Sequence, residues 1–139
     1  MEEASRVLRD VYSGRLRLNG EESIETLIAA NNYANALLSF KCLKEARSLL
    51  LKTIPVARRV LGESHEVTLR ARATYAEALY KDPAATLGDL SEAVTTLEEI
   101  GPIARRVLGG SHPLTALFED ALRRSRAALR ARDAPSTSG

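Results

Sequence analysis

The amino-acid sequence predicts an all-α fold, and more specifically an α-solenoid built from antiparallel helix pairs. Three observations lead to this prediction. The helix formers Ala, Leu and Arg dominate the composition, whereas the aromatic residues that sheets favour make up only 4% of the chain. Apolar residues recur every three or four positions through most of the 139 residues, which is the period of an amphipathic helix. A long segment also occurs twice in the chain, as is typical of repeat proteins.

The internal repeat is clearest in the segment Ala57–His65, which recurs as Ala104–His112 with one mismatch in nine positions. These two copies lie 47 residues apart, whereas further upstream the spacing is 42 residues, as between Tyr33 and Tyr75. The difference of five residues indicates an insertion between the two helices of the second repeat, within residues 81–89. Chance does not produce this degree of identity in so short a chain, so the two segments are true repeats.

The hydrophobic period divides the chain into six predicted helices. The first resembles the closing helix of a preceding repeat, the next four form two repeats at about 23–64 and 65–111, and the last caps the array. These elements form one predicted domain, 1–132, and the tail at 133–139 is predicted to be disordered because it is rich in Ser, Pro and Gly. The predicted helices span about 2–18, 23–40, 43–61, 65–80, 90–108 and 113–132.

Glycine and proline mark the ends and the weak points of these helices. Gly62 and Gly109 are predicted to close the second helix of each repeat, since glycine readily takes the left-handed conformation found after a helix. Pro113 suits the first position of the last helix, where an N–H has no partner within the helix. Pro55 and Pro102 lie inside predicted helices, so we expect a kink or a break at both positions.

The charge and the cysteine content exclude several classes of protein. Basic and acidic residues are nearly equal in number, and the resulting formal net charge of +2 is too small to indicate nucleic-acid binding. Cys42 is the only cysteine, so neither an intramolecular disulfide nor a thiolate metal cluster is expected. The sequence shows no signal-peptide pattern and no apolar run long enough for a membrane span. A reduced, cytoplasmic setting without membrane contact is therefore expected.

His65 and His112 occupy equivalent positions, each just before a predicted helix. A metal site would need further carboxylate or thiolate ligands at suitable spacing, and the sequence offers none. The segment His65–Leu69 begins like a zinc-protease motif but has Leu69 where a second histidine is required. Both histidines are expected to cap the helix that follows them. With no catalytic constellation, metal site or cofactor motif in the sequence, the chain is predicted not to be an enzyme.

A resemblance to a known family rests on a combination of short motifs. Ala34 and Ala46, one on each helix of a pair, lie twelve residues apart where the two helices would cross. The motifs are Asn31-Asn32-Tyr33-Ala34, Glu45-Ala46, Val60–His65 and His112-Pro113-Leu114-Thr115. Together with the 42-residue period, they resemble the long tetratricopeptide repeat of kinesin light chains. The usual tetratricopeptide repeat is shorter, with about 34 residues. No coiled-coil heptads precede the repeats, so the resemblance implies the repeat architecture and not a motor-adaptor role.

The resemblance also implies a function, a non-enzymatic scaffold that binds a peptide or protein segment in a concave groove lined by the first helices. The position that contacts cargo in the family falls on Asn31, and Asn35 lies one turn further along the same face. Asparagine amides can bond a peptide backbone of any sequence, because each has donors and an acceptor. Arg70 and Glu77 would either contact charges on the ligand or only form surface contacts. The groove candidates are Ile28, Asn31, Asn35, Leu38, Arg70, Ala73, Glu77 and Tyr80.

Two alternatives stay open on the sequence alone. The chain could be a structural fragment of a longer array or a self-associating module, because Val7, Leu8 and Val11 of the first helix need cover. Its stability as a monomer is expected to be marginal, since about three repeats are usually needed for a stable array. The Arg-rich last helix is predicted to be a polar cap, but it could also be a basic surface that binds acidic partners. Its arginines are Arg123, Arg124, Arg126, Arg130 and Arg132.

Overall fold

The structure, a computed structural model, describes residues 3–134, and this part of the chain forms six α-helices and no β-strand. The observed ends agree with the predicted ones to within one residue, except at the start of the fifth helix. The last helix includes Asp133, which was assigned to the disordered tail, and residues 135–139 lie outside the described part. The helices are α1 (Glu3–Asn19), α2 (Ile24–Ser39), α3 (Leu43–Leu61), α4 (Glu66–Tyr80), α5 (Leu87–Val107) and α6 (Pro113–Asp133).

The helices form two layers. Each helix packs against the next one in the chain, and the short connections make neighbours antiparallel. The first helices of the pairs, α2, α4 and α6, also pack side by side. Within residues 3–134, α1, α3 and α5 make no such contacts with one another, so they form a separate outer layer. The core lies between the layers, and α4 is buried on nearly every side. The predicted α-solenoid of antiparallel helix pairs is confirmed.

Alanines lie in the core at the positions predicted for the helix crossings. Ala34 and Ala46 of the first repeat, and Ala76 and Ala93 of the second, are all completely buried in the same core cluster. A larger side chain at these positions would push the paired helices apart, because protein cores are packed nearly as densely as organic crystals. The small residues therefore allow the close packing of each pair.

Local signals set most of the helix ends. The Nδ1 atoms of His65 and His112 accept hydrogen bonds from the backbone N–H of Val67 (3.1 Å) and Leu114 (3.0 Å), so both histidines cap a helix as predicted. Accepting these bonds requires each Nδ1 to be unprotonated, which leaves the proton of the neutral ring on Nε2.

The N-terminus of α5 was placed too late by the sequence analysis, which started this helix at about 90. The Thr86 hydroxyl oxygen accepts a hydrogen bond from the Asp89 N–H (3.0 Å), and the Asp89 carboxylate accepts one from the Thr86 N–H (3.1 Å). These reciprocal bonds form a capping box, and the bond from the Thr86 backbone is the main cause that lowers the pKa of Asp89. A Thr followed three residues later by Asp was the signal that could have revealed it. Part of the inserted segment therefore extends α5.

Of the kink or break expected at the two internal prolines, the break does not occur: α3 and α5 are continuous through Pro55 and Pro102. A kink at either position stays a prediction. Each proline deprives the carbonyl four residues earlier of its helical partner. Those carbonyls belong to Leu51 and Glu98, and both residues are exposed, as are the prolines themselves. Water can therefore replace the lost hydrogen bond, and neither ring displaces core side chains.

Lys41, which follows α2, has a backbone φ of +61°, and it is the only non-glycine residue in the described part with a positive φ. A side chain in this left-handed conformation costs about 1–2 kcal/mol. Lys41→Gly should remove that strain, although glycine also gains freedom in the unfolded chain, which costs about 0.4–1 kcal/mol. We expect a net increase of about 0.5 kcal/mol in the free energy of unfolding, measured by urea denaturation. Lys44→Gly, in the first turn of α3, is the control and should lower stability by about 1 kcal/mol. A loss of stability in Lys41→Gly would contradict the prediction.

Candidate functional site

The first helices α2, α4 and α6 pack side by side, and their exposed side chains make up one surface of the array. Between α2 and α4 this surface encloses a cavity of about 200 Å³. We call the surface the groove. The cavity is lined by Ile28, Asn31, Asn32, Glu66, Val67 and Arg70.

A cluster of polar side chains joins α2 to α4 beside this cavity. The Thr74 hydroxyl lies 2.8 Å from the carbonyl of Arg70, 3.3 Å from Oδ1 of Asn35 and 3.4 Å from Oδ1 of Asn31. A hydroxyl has one proton and two lone pairs, and the shortest distance assigns the proton to the Arg70 carbonyl. Rotation of either asparagine amide would place its NH2 group on the remaining lone pairs. The cluster therefore holds the two amides at the edge of the groove.

The candidate residues of the sequence analysis divide into exposed and buried positions. Ile28, Asn35 and Arg70 are exposed on the groove, as expected. Asn31 and Ala73, with 4% and 5% exposure, are largely buried, although Asn31 still lines the cavity, so their expected contact with a ligand stays a prediction. These two positions are equivalent in successive repeats, 42 residues apart, and each lies where its helix is covered by neighbouring helices. Asn31 therefore supports Asn35 through Thr74 and offers little surface of its own.

Charged side chains border the cavity at one end of the groove. The Arg70 guanidinium lies 3.9 Å from the Glu66 carboxylate, and Nε2 of His112 lies 3.9 Å from the same oxygen. These separations between exposed groups contribute little to stability. Glu77 pairs with Lys81 at 2.8 Å and not with Arg70. Arg70 and Glu77 therefore have different partners, Glu66 for Arg70 and Lys81 for Glu77.

The other end of the groove is formed around Tyr80. Burial, followed by the negative charge of Glu77, raises the pKa of Tyr80 to about 12, so its hydroxyl remains a hydrogen-bond donor at neutral pH. The charge of Arg124 on α6 lowers the pKa of this hydroxyl, whereas that of Asp120 raises it. Leu38 is half-buried and packs against the core. This end therefore offers one phenol hydroxyl among charges of both signs.

Residues 3–134 contain neither a cluster of metal-ligating side chains nor a helix that could cross a membrane. No group of three or more His, Cys, Asp or Glu side chains is arranged there to hold a metal ion. Cys42 is a free, half-buried thiol. None of the helices in this range has the length and the hydropathy that a membrane crossing requires.

Comparison with known families matches residues 26–66 to a family model described as tetratricopeptide repeat. Residues 26–66 are therefore similar to a tetratricopeptide repeat. The matched range runs from α2 through α3 to the first residue of α4, so it covers one pair of helices. No curated protein matches the chain.

The exposed face of the first helices also includes positions on α6 that the sequence-based candidates do not include. Residues 70 and 77 of α4 correspond, at the spacing of 47 residues, to Leu117 and Arg124 of α6. Both side chains are exposed, and Leu117 is among the most exposed large apolar residues of the chain. The 47-residue spacing, already visible in the sequence, was the signal that could have identified them.

Proposed function

We propose that this chain is a non-enzymatic scaffold that binds an extended peptide or protein segment in the groove along α2, α4 and α6. The observation that carries the proposal is the position of the cavity. It lies between the first helix of a tetratricopeptide repeat and the next first helix, beside the Asn35–Thr74 cluster. Tetratricopeptide repeats are generally protein-interaction modules, and repeat arrays use such extended concave surfaces for binding.

The chemistry of the groove favours a particular kind of ligand. Asn35 offers an amide that can bond peptide N–H and C=O groups whatever the side chains of the ligand are. Ile28 and Leu117 add exposed apolar surface at equivalent positions of different helices. Glu66, Arg70 and Arg124 supply charges of both signs. The proposed ligand is therefore an extended segment with apolar side chains and mixed charges. The resemblance to kinesin light chains supports the role of the asparagine positions.

The alternative of a basic C-terminal surface has less support. Asp120 pairs with two arginines of α6, Arg123 at 3.2 Å and Arg124 at 3.0 Å. Arg126 pairs with Glu98 at 2.8 Å, and Arg132 donates hydrogen bonds to backbone carbonyls of the α4–α5 connection. Internal partners thus offset much of the positive charge that an acidic ligand would meet. The cytoplasmic location expected from the sequence stays a prediction.

The proposal is tested with a peptide selected on the chain from a random display library. Asn35→Ala combined with Arg70→Ala should weaken the affinity for that peptide about tenfold or more, equivalent to about 1.4 kcal/mol. Helicity should be unchanged, because both side chains are exposed. The affinity is measured by isothermal titration and the helicity by circular dichroism. Asn31→Ala is left out of the test because this side chain is buried and its removal would affect folding.

Asn19→Ala combined with Arg106→Ala is the matched control, since both residues are exposed and lie on α1 and α5, away from the groove. This control should bind the peptide as the unchanged chain does. Equal affinity of the groove variant and the unchanged chain would place binding elsewhere and reject the proposal. A library from which no peptide is enriched would also reject it.

A further inference from the structure

Helix α1 has the register of a second helix of a repeat, although no first helix precedes it within residues 3–134. The hydroxyl of Thr26 donates to the carbonyl of Arg15 (3.2 Å), and 42 residues later the hydroxyl of Thr68 donates to the carbonyl of Ala57 (3.3 Å). The glycines that follow α1 and α3 also correspond at this spacing, and both have a positive φ. Helix α1 therefore packs against α2 as α3 packs against α4.

Comparison with α3 identifies the positions of α1 at which another helix would pack. In α3, Leu49, Thr53 and Val56 are buried and line cavities together with side chains of α2, the first helix of that pair, and of α1. Forty-two residues earlier, the corresponding positions of α1 are Val7, Val11 and Gly14. The side of α1 on which another helix would pack is therefore open.

The open side of α1 is an apolar stripe, which we call the α1 stripe and define as Val7, Val11, Gly14 and Leu18. These residues are spaced by four, three and four, so they lie on one helix face. Val7, Val11 and Leu18 are 54%, 45% and 79% exposed, and the space that a side chain on Gly14 would occupy is empty. The glycine leaves room for another helix to approach closely.

The opposite end of the array cannot cover the α1 stripe of another copy. The position of Ala34 and Ala76, where a second helix packs on a first helix, is occupied in α6 by Arg123. At the same 47-residue spacing, Leu79 of α4 corresponds to Arg126 of α6. Stacking α6 of one copy on α1 of the next would remove both guanidinium groups from water, which is costly without new partners. End-to-end growth is therefore disfavoured.

Pairing of two α1 stripes would bury no guanidinium group. The charged residues beside the stripe are also arranged so that they attract one another across such a pair. Asp10 and Arg17 are two helical turns apart and lie on the same side of the stripe. An antiparallel arrangement that sets Val11 against Gly14 of the second copy brings Asp10 beside the second copy's Arg17, and the two-fold symmetry repeats this pair. Among residues 3–134 Asp10 pairs only with the adjacent Arg9, at 3.4 Å and on an exposed surface, so its carboxylate is available for a second copy.

We infer that the α1 stripe is a docking surface for a second copy of this chain, which pairs with it antiparallel about a two-fold axis. The interface is isologous and closes at two copies. A single pair of helices buries less than about 1,200 Å², the class of weak, transient interfaces, so we expect a dissociation constant in the micromolar range. The inference is independent of the proposed groove function, because the α1 stripe and the groove lie on different helices.

Sedimentation equilibrium over a range of concentrations tests the inference. The unchanged chain should show a monomer–dimer equilibrium, and Val11→Glu should raise the dissociation constant at least tenfold. Val107→Glu is the matched control, because Val107 is 47% exposed at the end of α5, and it should leave the equilibrium unchanged. Circular dichroism should show equal helicity in all three proteins, since both valines are nearly half exposed and neither belongs to the buried core.

A charge exchange tests the antiparallel arrangement. Asp10→Arg and Arg17→Asp should each weaken the dimer, and the two together should restore it, since the pair then re-forms with the signs reversed. Failure of the double variant to restore dimerisation would reject this arrangement. A chain that stays monomeric up to about 1 mM would reject the inference and assign the α1 stripe to a different helix. Assemblies larger than a dimer would reject the closed two-fold interface.

Discussion

Leu97→Ala is expected to lower the free energy of unfolding by about 2–5 kcal/mol. Leu97 lies on α5, is fully buried and belongs to the core cluster that joins the two layers. Its truncation loses the burial of three carbon atoms and leaves a cavity that the surrounding helices fill only in part. Because small proteins are typically stable by about 5–15 kcal/mol, the loss is a large part of the total. Urea denaturation followed by circular dichroism measures it.

Leu51→Ala is the matched control for this substitution, since Leu51 is more than half exposed on α3. The same change of side chain should cost less than about 0.5 kcal/mol there, as is usual for surface substitutions. Equal losses in the two variants would show that Leu97 is not in the core of the folded protein.

Ala34→Leu and Ala76→Leu should each lower the free energy of unfolding by about 1–3 kcal/mol through overpacking. Both alanines are completely buried in the same core cluster, at equivalent positions of the two first helices. A leucine adds three carbon atoms for which there is no space, so the paired helices must separate or adopt unfavourable rotamers. Thermal and urea melts of the two variants measure the effect.

Ala127→Leu on α6 is the control for these two variants, because Ala127 is exposed and the added atoms would meet solvent. Its melt should match that of the unchanged chain. Unchanged melts for Ala34→Leu and Ala76→Leu would show that the register of the two repeats has been placed wrongly.

Most of the fold follows from signals that act over a few residues. The apolar period predicted all six helices, and His65 and His112 were correctly assigned to helix N-termini. The start of α5 was missed because Gly88 and the preceding Pro83 look like a loop, whereas the capping box of Thr86 begins a helix there. At the internal prolines the sequence could not distinguish a break, which is absent, from a continuous helix. Whether an internal proline breaks a helix depends on access of water to the freed carbonyl, and the sequence does not show exposure.

The groove was predicted only in part. Ile28, Asn35 and Arg70 are exposed as expected, because the first helices do present one face away from the core. The burial of Asn31 and Ala73 depends on how closely neighbouring helices approach α2 and α4. That approach is set by side chains at several crossings together and cannot be read from the period of one helix.

The sequence by itself determined the repeat, the helix pairs, all their ends except the start of α5, and the alanines at the crossings. Each of these depends on neighbours within a few turns or on identity between two segments. Only the tertiary structure decided which polar residues are exposed on the groove and which partners Arg70 and Glu77 take. It also showed that α1, though built like α3, keeps an open apolar stripe. Burial depends on which helices, distant in the sequence, pack against each other. Helices as similar as α1 and α3 therefore differ in exposure, because a neighbouring helix covers the corresponding face only in α3.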